Sequence, residues 1–392
     1  MTGFDWHNPY PTTRIPVFAR NVVSTSHPLA AQAGLRMLWK GGNAVDAALA
    51  AAAAITVVEP VSCGLGGDAF ALVWDGERLS GLNASGVAPA AWNPDYFRRR
   101  HGEDAHGIAK QPMRGWDTVT VPGVIAGWEA LHAKFGSLPF ADLLEPAIEL
   151  AERGYSVSPI VAHKWAAAVP EMLDDAYLAE RAKLIDRTRA THFAAGRPHS
   201  GGTIYLSAAD ERGMMVSFIQ SNYMGFGSGL VVPGTGIALQ NRGHGFSMDP
   251  RSPNVVAGGK RPFHTIIPAF VTEQVDGRTE AVMSFGVMGG DMQPQGHLQT
   301  IVRMLGYHQQ PQAACCAPRW KVNRDFTLDV EATMNRQTVD ALAARGHTIK
   351  SVDDPYMDFG SGQFVWRLDP DDPERGYVAA SDSRRDGLAA GF

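Results

Sequence analysis

The stretch Gly201-Gly-Thr-Ile-Tyr-Leu-Ser-Ala-Ala-Asp210 decides how this sequence of 392 residues is interpreted. From Thr203 onward the side chains alternate, which is typical of a strand with one buried face. Residues 210–213 then predict a turn and residues 215–220 a returning antiparallel strand. The preceding residues, about 187–202, show no sustained period and predict a linker. A threonine therefore stands where an irregular segment becomes a strand.

This threonine is a candidate nucleophile. A threonine hydroxyl is weakly nucleophilic unless a base lies beside it, and the α-amino group of the same residue, with a pKa of about 8, can be that base. The bond between Gly202 and Thr203 must then be cut. Gly202 suits this, because a residue without Cβ tolerates the strain that brings the hydroxyl to the preceding carbonyl. By spacing alone, such a Gly-Gly-Thr is more often an ordinary loop end.

Outward from this point, the first half of the chain is mainly helical. Residues 28–40 predict an amphipathic helix that ends at Gly41-Gly42. Asn43 is placed to cap a second helix, 44–57, which is apolar nearly all round and should be buried between layers. Hairpin signals dominate the second half, where one strand pair flanks Asp276-Gly277 and its second strand runs through Phe285 into a predicted loop at residues 286–291. We therefore predict an α+β fold in which helix layers cover packed antiparallel sheets.

Composition excludes several classes of function. Hydrophobic residues make up 45% and charged residues 19%, as in a globular protein, and the length suffices for one large domain or two ordinary ones. The net charge of −5, without long Lys/Arg runs, argues against nucleic-acid or anionic-membrane partners. With no leader or spanning segment recognised, we expect a cytoplasmic protein. Three cysteines and 13 histidines show no metal-ligand spacing, and no phosphate-binding loop or serine nucleophile elbow occurs, so we expect no metal and no cofactor.

A series of collinear motifs, from about residue 20 to the end, resembles the γ-glutamyltransferase family. The first half carries Gly41-Gly-Asn-Ala-Val-Asp-Ala-Ala48, Val58-Glu-Pro60 and Gly64-Leu-Gly-Gly-Asp68. The second half carries the stretch from Thr203 to Asp210, then Phe226-Gly-Ser-Gly229, Pro233-Gly-Thr-Gly236, Lys260-Arg-Pro262, Gly289-Gly290 and Ala380-Ser-Asp382. The resemblance implies a four-layer αββα sandwich of the N-terminal-nucleophile (Ntn) hydrolase type.

The resemblance also assigns roles. It implies autocatalytic cleavage between Gly202 and Thr203, with Thr203 then acting as nucleophile and, through its freed amine, as general base. Ser221 matches a hydroxyl residue that supports the nucleophile, and Gly289 and Gly290 match oxyanion-hole amides. Residues 1–202 would form a large-subunit-like segment and 203–392 a small-subunit-like segment of one composite domain. The two fragments would stay associated, and a homodimer is left open.

The residues at the positions that bind glutamate in the family differ in this sequence. Pro94 stands for an arginine, Gly245 for an aspartate, Tyr223 for an asparagine and His264-Thr265 for a serine pair. Arg242, next to Asn241, is a candidate to bind a substrate carboxylate in their place, and the alternative is a surface arginine. The candidate substrate-binding residues are therefore Tyr223, Asn241, Arg242, His264 and Thr265.

Three functions follow from this. The first is hydrolysis or transfer of an acyl group from a small amide such as glutathione. The second is a non-γ-glutamyl amidase, as in the cytoplasmic branch that includes oxamate amidohydrolase and acylase-like proteins. Family members also carry a long segment between the counterparts of residues 169–170 and 173–177, which are nearly joined here. An unprocessed relative that only binds a small molecule or a partner is therefore the third.

Overall fold

The computed structural model of the chain describes residues 3–165, 201–353 and 359–392. Most of the predicted linker and the flanks 169–170 and 173–177 lie outside these ranges. The described helices are α1 (Pro28–Trp39), α2 (Ala44–Val58), α3 (Pro94–His101), α4 (Val124–Phe135), α5 (Phe140–Arg153), α6 (Met292–Ile301), α7 (Pro311–Cys316) and α8 (Arg336–Ala344). None of the helices in these ranges combines the length and the apolar character that crossing a membrane requires.

The strands belong to two large antiparallel sheets and two small ones. They are β1 (Val17–Ala19), β2 (Val22–Thr25), β3 (Asp68–Trp74), β4 (Leu79–Ala84), β5 (Gly201–Ala209), β6 (Met215–Met224), β7 (Val231–Val232), β8 (Ile237–Ala238), β9 (Ala269–Val275), β10 (Arg278–Met288), β11 (Trp320–Val322), β12 (Leu328–Glu331), β13 (Ile349–Val352), β14 (Ser361–Arg367), β15 (Tyr377–Ser381) and β16 (Leu388–Gly391). The first sheet has the order β16-β2-β5-β6-β3-β4 and the second β1-β15-β14-β10-β9.

Helix α2 forms where its sequence predicted. The Asn43 side chain accepts hydrogen bonds from the N–H groups of Val45 and Asp46, and the Asp46 carboxylate accepts one from the N–H of Asn43. This reciprocal capping box satisfies N–H groups that a helix end otherwise leaves unpaired. Nearly every residue of α2 is buried, which confirms its predicted place between layers.

Four layers stack in the order helix, sheet, sheet, helix. Helices α1, α2, α4 and α5 pack on the outer face of the first sheet through residues such as Leu49 and Phe218. The inner face packs on the second sheet around Trp74 and Val365. Beyond the second sheet, Phe285 packs in a cluster that includes Cys315 of α7, and α6 lies against β10. The structure is the predicted αββα sandwich.

Strand β5 has the predicted alternation. Ile204 and Leu206 face the helices, whereas Tyr205 and Ala209 face the space between the sheets. The strand begins at Gly201, two residues inside the predicted linker, because Gly201 and Gly202 pair with the end of β6.

Strand β10 likewise extends beyond its prediction. It continues to Met288, whereas residues 286–291 were expected to be a loop. Backbone pairing of Met288 with Ser361 of β14 explains the extension, because that partner is distant in sequence.

Candidate functional site

The side chains of Thr203 and Ser221 meet at the centre of the first sheet. The two residues are cross-strand partners on β5 and β6, and their hydroxyl oxygens lie 2.9 Å apart. Both residues are buried. The Ser221 hydroxyl oxygen also accepts a hydrogen bond from the N–H of Tyr223 at 2.7 Å. Either hydroxyl can be the donor in the contact between Thr203 and Ser221.

A β-bulge lies opposite the bond between Gly202 and Thr203. Gly202 pairs with Tyr223 and Thr203 with Ser221, so Asn222 is an extra residue on β6. Tyr223 has a φ of 73°, a left-handed conformation that bulky residues rarely adopt. Bulges of this kind commonly redirect side chains beside active sites. The backbone is thus distorted at the junction where cleavage is predicted.

Gly289 and Gly290 form the short loop between β10 and α6. Their carbonyl groups accept hydrogen bonds from the N–H groups of Met292 and Gln293, at 3.0 and 3.1 Å. Neither glycine N–H donates a hydrogen bond within the described part of the chain. Gly289 has a φ of 140°, and a Cβ there would lie 2.8 Å from the Cα of Gly360. Two free N–H groups at a helix start can bind a developing oxyanion.

Contacts between the two sheets place this loop beside Thr203. A Cβ on Gly286 would lie 2.5 Å from the ring of Tyr205, and the Ser207 and Ser284 hydroxyls form a hydrogen bond. Tyr205 is therefore level with Gly286 and Ser207 with Ser284, so residue numbers fall along β5 in the direction in which they rise along β10. At about 3.3 Å per residue, the next step brings Thr203 level with the end of β10, where the glycine loop starts.

Asp68 and Arg242 form a fully buried ion pair at the edge of the site. The guanidinium donates from Nε at 2.6 Å and from Nη2 at 3.0 Å to the two carboxylate oxygens. The remaining nitrogen, Nη1, is buried and has no hydrogen-bond partner among the described residues. Burial raises the pKa of Asp68, whereas Arg242 acts in the opposite direction. Arg242 is therefore not a surface residue, contrary to the alternative drawn from sequence.

Tyr223 and Asn241 adjoin this pair. The guanidinium carbon of Arg242 lies 4.6 Å from the centre of the Tyr223 ring, a cation–π arrangement. The buried amide of Asn241 is held between two backbone groups: its oxygen accepts from the N–H of Met224 at 3.1 Å, and its nitrogen donates to the carbonyl of Met113 at 3.0 Å. Asn241 thereby anchors the end of β6.

His264 lies close enough to the ion pair to feel the charges of both Arg242 and Asp68. Its ring centre is 4.3 Å from that of Phe70, and its Nδ1 lies 3.1 Å from the carbonyl oxygen of Ile266. Burial, followed by the charge of Arg242, lowers the pKa of His264, so the ring stays neutral near pH 7. Thr265 follows it and is half-buried.

Pro94 and Gly245 stand where the resemblance to the family implies an arginine and an aspartate. Pro94 opens helix α3, where its fixed φ suits the first turn. A Cβ on Gly245 would lie 2.7 Å from the backbone oxygen of Phe263. A side chain at position 245 therefore cannot be added without moving the backbone.

Two polar residues at the site had received no role from the sequence. Asp68 is the partner of Arg242, and a buried acid that begins an apolar strand is a signal that such a partner exists. Gln293 is buried in the first turn of α6. Its oxygen accepts from the N–H of Ile267 at 3.0 Å, and its amide nitrogen has no partner in the described ranges.

Comparisons with known proteins point to one family. A family model described as gamma-glutamyltranspeptidase matches residues 30–171 and 162–392. The chain is 28% identical to the glutathione hydrolase-like YwrD proenzyme of Bacillus subtilis, over 95% of this chain and 98% of that protein. It is also 28% identical to the oxamate amidohydrolase proenzyme of Klebsiella pneumoniae, over 93% and 97%. The crystal structure of cephalosporin acylase from Bacillus halodurans superposes with a TM-score of 0.83, at 34% identity and 98% coverage of both chains.

The same comparisons confirm the missing segment. The alignment with the Bacillus subtilis protein extends over 534 positions, more than the 392 residues of this chain. The two stretches that match the family model share residues 162–171, so the interruption falls where the sequence placed it.

Proposed function

The chain belongs to the gamma-glutamyltranspeptidase family, and on that premise we propose that Thr203 is both the self-processing residue and the catalytic nucleophile. The protein is an enzyme of the Ntn-hydrolase class that cleaves small amides through an acyl-threonine. The observation that supports the role of Thr203 most directly is its hydroxyl, 2.9 Å from that of Ser221 at a bulged junction. Gly289 and Gly290 provide the N–H groups for the oxyanion.

Processing divides the chain into segments 1–202 and 203–392. The Thr203 hydroxyl attacks the carbonyl carbon of Gly202, and the C–N bond breaks as the acyl group moves to oxygen. The resulting ester is hydrolysed by water, which releases the Gly202 carboxylate and restores the hydroxyl. The α-amino group of Thr203 is then free. The bulge opposite this bond supports the proposal, since strain at the junction favours the attack.

Turnover repeats this chemistry on a substrate. The hydroxyl attacks the amide carbon, the α-amino group accepts its proton, and the C–N bond breaks as that proton passes to the leaving amine. The acyl-threonine ester is then hydrolysed by water or transferred to an amine. During each tetrahedral stage the negative oxygen lies against the glycine N–H groups, whose loss costs about 3–4 kcal/mol in comparable sites.

The substrate is a small amide whose acyl group need not be γ-glutamyl. The crowded backbone at Gly245 supports this, because the aspartate expected in γ-glutamyl enzymes does not fit there. Relatives of this chain are named both as a glutathione hydrolase-like protein and as an oxamate amidohydrolase. Turnover of γ-glutamyl-p-nitroanilide compared with oxamate separates the two classes. Strong turnover of the former alone contradicts the non-glutamyl assignment.

Processing is tested by denaturing electrophoresis and intact-mass spectrometry of the purified chain. We expect two fragments of similar length with the second starting at Thr203, and an intact chain for Thr203→Ala. Thr235→Ala, which changes an exposed threonine in the β7–β8 turn, is the matched control and should process normally. A wild-type chain that stays whole and hydrolyses no amide would show that the protein is a non-catalytic binding relative instead.

A further inference from the structure

A cavity of about 560 Å³ lies between helix α8 and the strands β11 and β12. This volume is within the range of small-molecule sites. None of the lining residues belongs to the candidate catalytic site, so the cavity is separate from it. Apolar side chains form most of its wall, namely Pro318, Trp320, Val322, Leu328, Met334 and Leu342.

Helix α8 borders the cavity without filling it. No residue of this helix is buried, although Thr338 and Leu342, one turn apart, line the cavity. The apolar side of a surface helix ordinarily packs against its sheet. Here Leu342 faces the cavity instead, and Val322 of β11 is 41% exposed. Apolar surface that the fold leaves uncovered in this way favours an apolar ligand.

The opposite wall is held in place by helix α6. The Gln295 side chain accepts a hydrogen bond from the N–H of Val322 at 2.7 Å and donates one to its carbonyl at 3.2 Å. Gln299, one turn further along α6, bonds the N–H and the carbonyl of Trp320 in the same way, at 3.1 and 2.9 Å. The fold itself therefore forms this wall, and a ligand does not bear the cost of ordering it.

The charges on the wall have one sign. No lining residue is acidic, whereas Arg303 and His347 can each carry a positive charge. The guanidinium of Arg303 donates from Nη1 to the hydroxyl of Tyr10 at 2.8 Å and from Nη2 to the carbonyl of Pro318 at 3.0 Å. Among the described residues its hydrogen-bond partners are all neutral. An arginine without an acidic partner at the edge of an apolar cavity is complementary to a carboxylate.

Arg303 also lies in an unusual turn of the backbone. Residues Val302–Gly306 form a π-helical turn after α6, with a hydrogen bond from the N–H of Tyr307 to the carbonyl of Val302 at 3.1 Å. Such turns are rare and occur frequently at functional sites. His308, just after the turn, has a φ of 53°. The backbone is thus irregular where this cation meets the cavity.

We propose that the cavity is a second binding site, for a small apolar carboxylate. The apolar part of the ligand lies between Trp320 and Leu342, and its carboxylate pairs with Arg303. A neutral or cationic molecule of the same shape fills the same space but gives Arg303 no counter-charge. The proposal does not depend on the role of Thr203, because no residue of the cavity takes part in the proposed catalysis.

Titration calorimetry of the purified full chain tests the site with three matched ligands. They are 4-phenylbutyrate, the neutral 4-phenylbutanol and the cationic 4-phenylbutylamine, which share one skeleton. We expect one molecule of phenylbutyrate to bind per chain, with a Kd at least roughly tenfold below those of the other two. Equal affinities for the three ligands, or no saturable binding of phenylbutyrate, overturn the proposal.

A pair of variants locates the binding. Thr338→Trp introduces a large side chain into the cavity from an exposed position of α8. Gln337→Trp is the matched control, because position 337 is exposed on the same helix and does not line the cavity. We expect Thr338→Trp to weaken the binding of phenylbutyrate at least roughly tenfold, and Gln337→Trp to leave it within about twofold of wild type. Undiminished binding by Thr338→Trp, or equal effects of both variants, would place the ligand elsewhere and contradict the proposal.

Arg303→Gln tests the charge. The variant keeps a donor for the carbonyl of Pro318 but removes the cation. We expect it to bind phenylbutyrate and phenylbutanol with equal affinity, and a surviving preference for phenylbutyrate refutes the pairing with Arg303. Circular dichroism reports whether the variant has folded. If it has not, the comparison of Thr338→Trp with Gln337→Trp decides.

Discussion

At the scale of single residues, the hydroxyl of Ser221 contacts that of the proposed nucleophile Thr203 at 2.9 Å. Replacing it in Ser221→Ala removes a hydrogen bond that orients the Thr203 oxygen. A hydrogen bond to a reacting group that gains charge contributes about 1.5–3 kcal/mol, so we expect kcat and the rate of self-cleavage to fall roughly ten- to hundredfold. The measurement is the time course of fragment appearance, followed by steady-state kinetics of the cleaved variant.

Ser217→Ala is the matched control for that variant. Ser217 is a buried serine on the same strand, and its hydroxyl lies 2.7 Å from that of Tyr205. Its loss should lower stability by about 1 kcal/mol and leave the rate of cleavage within twofold of wild type. If both variants slow cleavage equally, the effect of Ser221 is one of general packing.

His297 makes stability depend on pH. Its Nε2 accepts a hydrogen bond from the N–H of Val287 at 2.9 Å, and burial lowers its pKa to about 4. The folded chain keeps this ring neutral, whereas the unfolded chain protonates it near pH 6.5. Stability is therefore complete above pH 6.5 and falls as the pH drops towards 4, by up to about 1.4 kcal/mol per pH unit.

His297→Gln removes the titration and keeps an acceptor for the Val287 N–H. We expect the free energy of unfolding of this variant to depend less on pH between 4 and 6.5 than that of the parent chain. Denaturant unfolding at a series of pH values measures this, in a Thr203→Ala background that keeps the chain whole. The same slope in both proteins would assign the pH dependence to other groups.

How much of the site the sequence predicts differs from residue to residue. The candidate nucleophile and the glycine loop stand in contiguous motifs with local signals. The pair of Asp68 and Arg242 does not, because 174 residues separate the partners, and they meet through backbone hydrogen bonds from Gln240 to Gly66 and from Asn241 to Asn222. Burial of Arg242 could not be predicted for the same reason, since an arginine is ordinarily exposed.

Among the larger elements, the contact between the two sheets controls how Thr203 meets the glycine loop. Gly286 of β10 lies against the ring of Tyr205, and a Cβ there would be 2.5 Å from a ring carbon. We expect Gly286→Ala to destabilise the Thr203→Ala chain by about 1–3 kcal/mol through overpacking, and to slow self-cleavage in the wild-type background. Thermal unfolding and the cleavage time course are the measurements.

Gly81→Ala provides the comparison in another strand. A Cβ at this position of β4 would lie 3.6 Å from the Leu72 side chain, which is an ordinary contact. Its effect should stay within about 0.5 kcal/mol. Equal destabilisation by the two substitutions would mean that strand propensity, and not the spacing of the sheets, is responsible.

Helix α2 and strand β10 differ in how well local sequence patterns predict where they end. The position of α2 was predicted closely because its cap and its apolar run are local. Strand β10 was predicted to stop near Phe285, yet it extends to Met288, because its last residues pair with β14. From the local sequence, Gly286 predicts a loop. Its close packing against the ring of Tyr205 explains why a glycine stands inside a strand there.

In the whole molecule, each large sheet contains strands from both sides of the predicted cleavage site, so cleavage does not separate the sheets. Strand β2 from the first segment pairs with β5 and β16 of the second, β3 pairs with β6, and β1 pairs with β15. The two fragments should therefore migrate at about half the mass of the chain on a denaturing gel yet elute together under native conditions, at 42.2 kDa for one chain or twice that mass for the homodimer left open by the sequence. The Thr203→Ala chain should elute at the same volume as the cleaved wild-type protein. Fragments that separate without denaturant would mean that the shared sheets do not hold the cleaved enzyme together, and activity would then be lost on cleavage instead of gained.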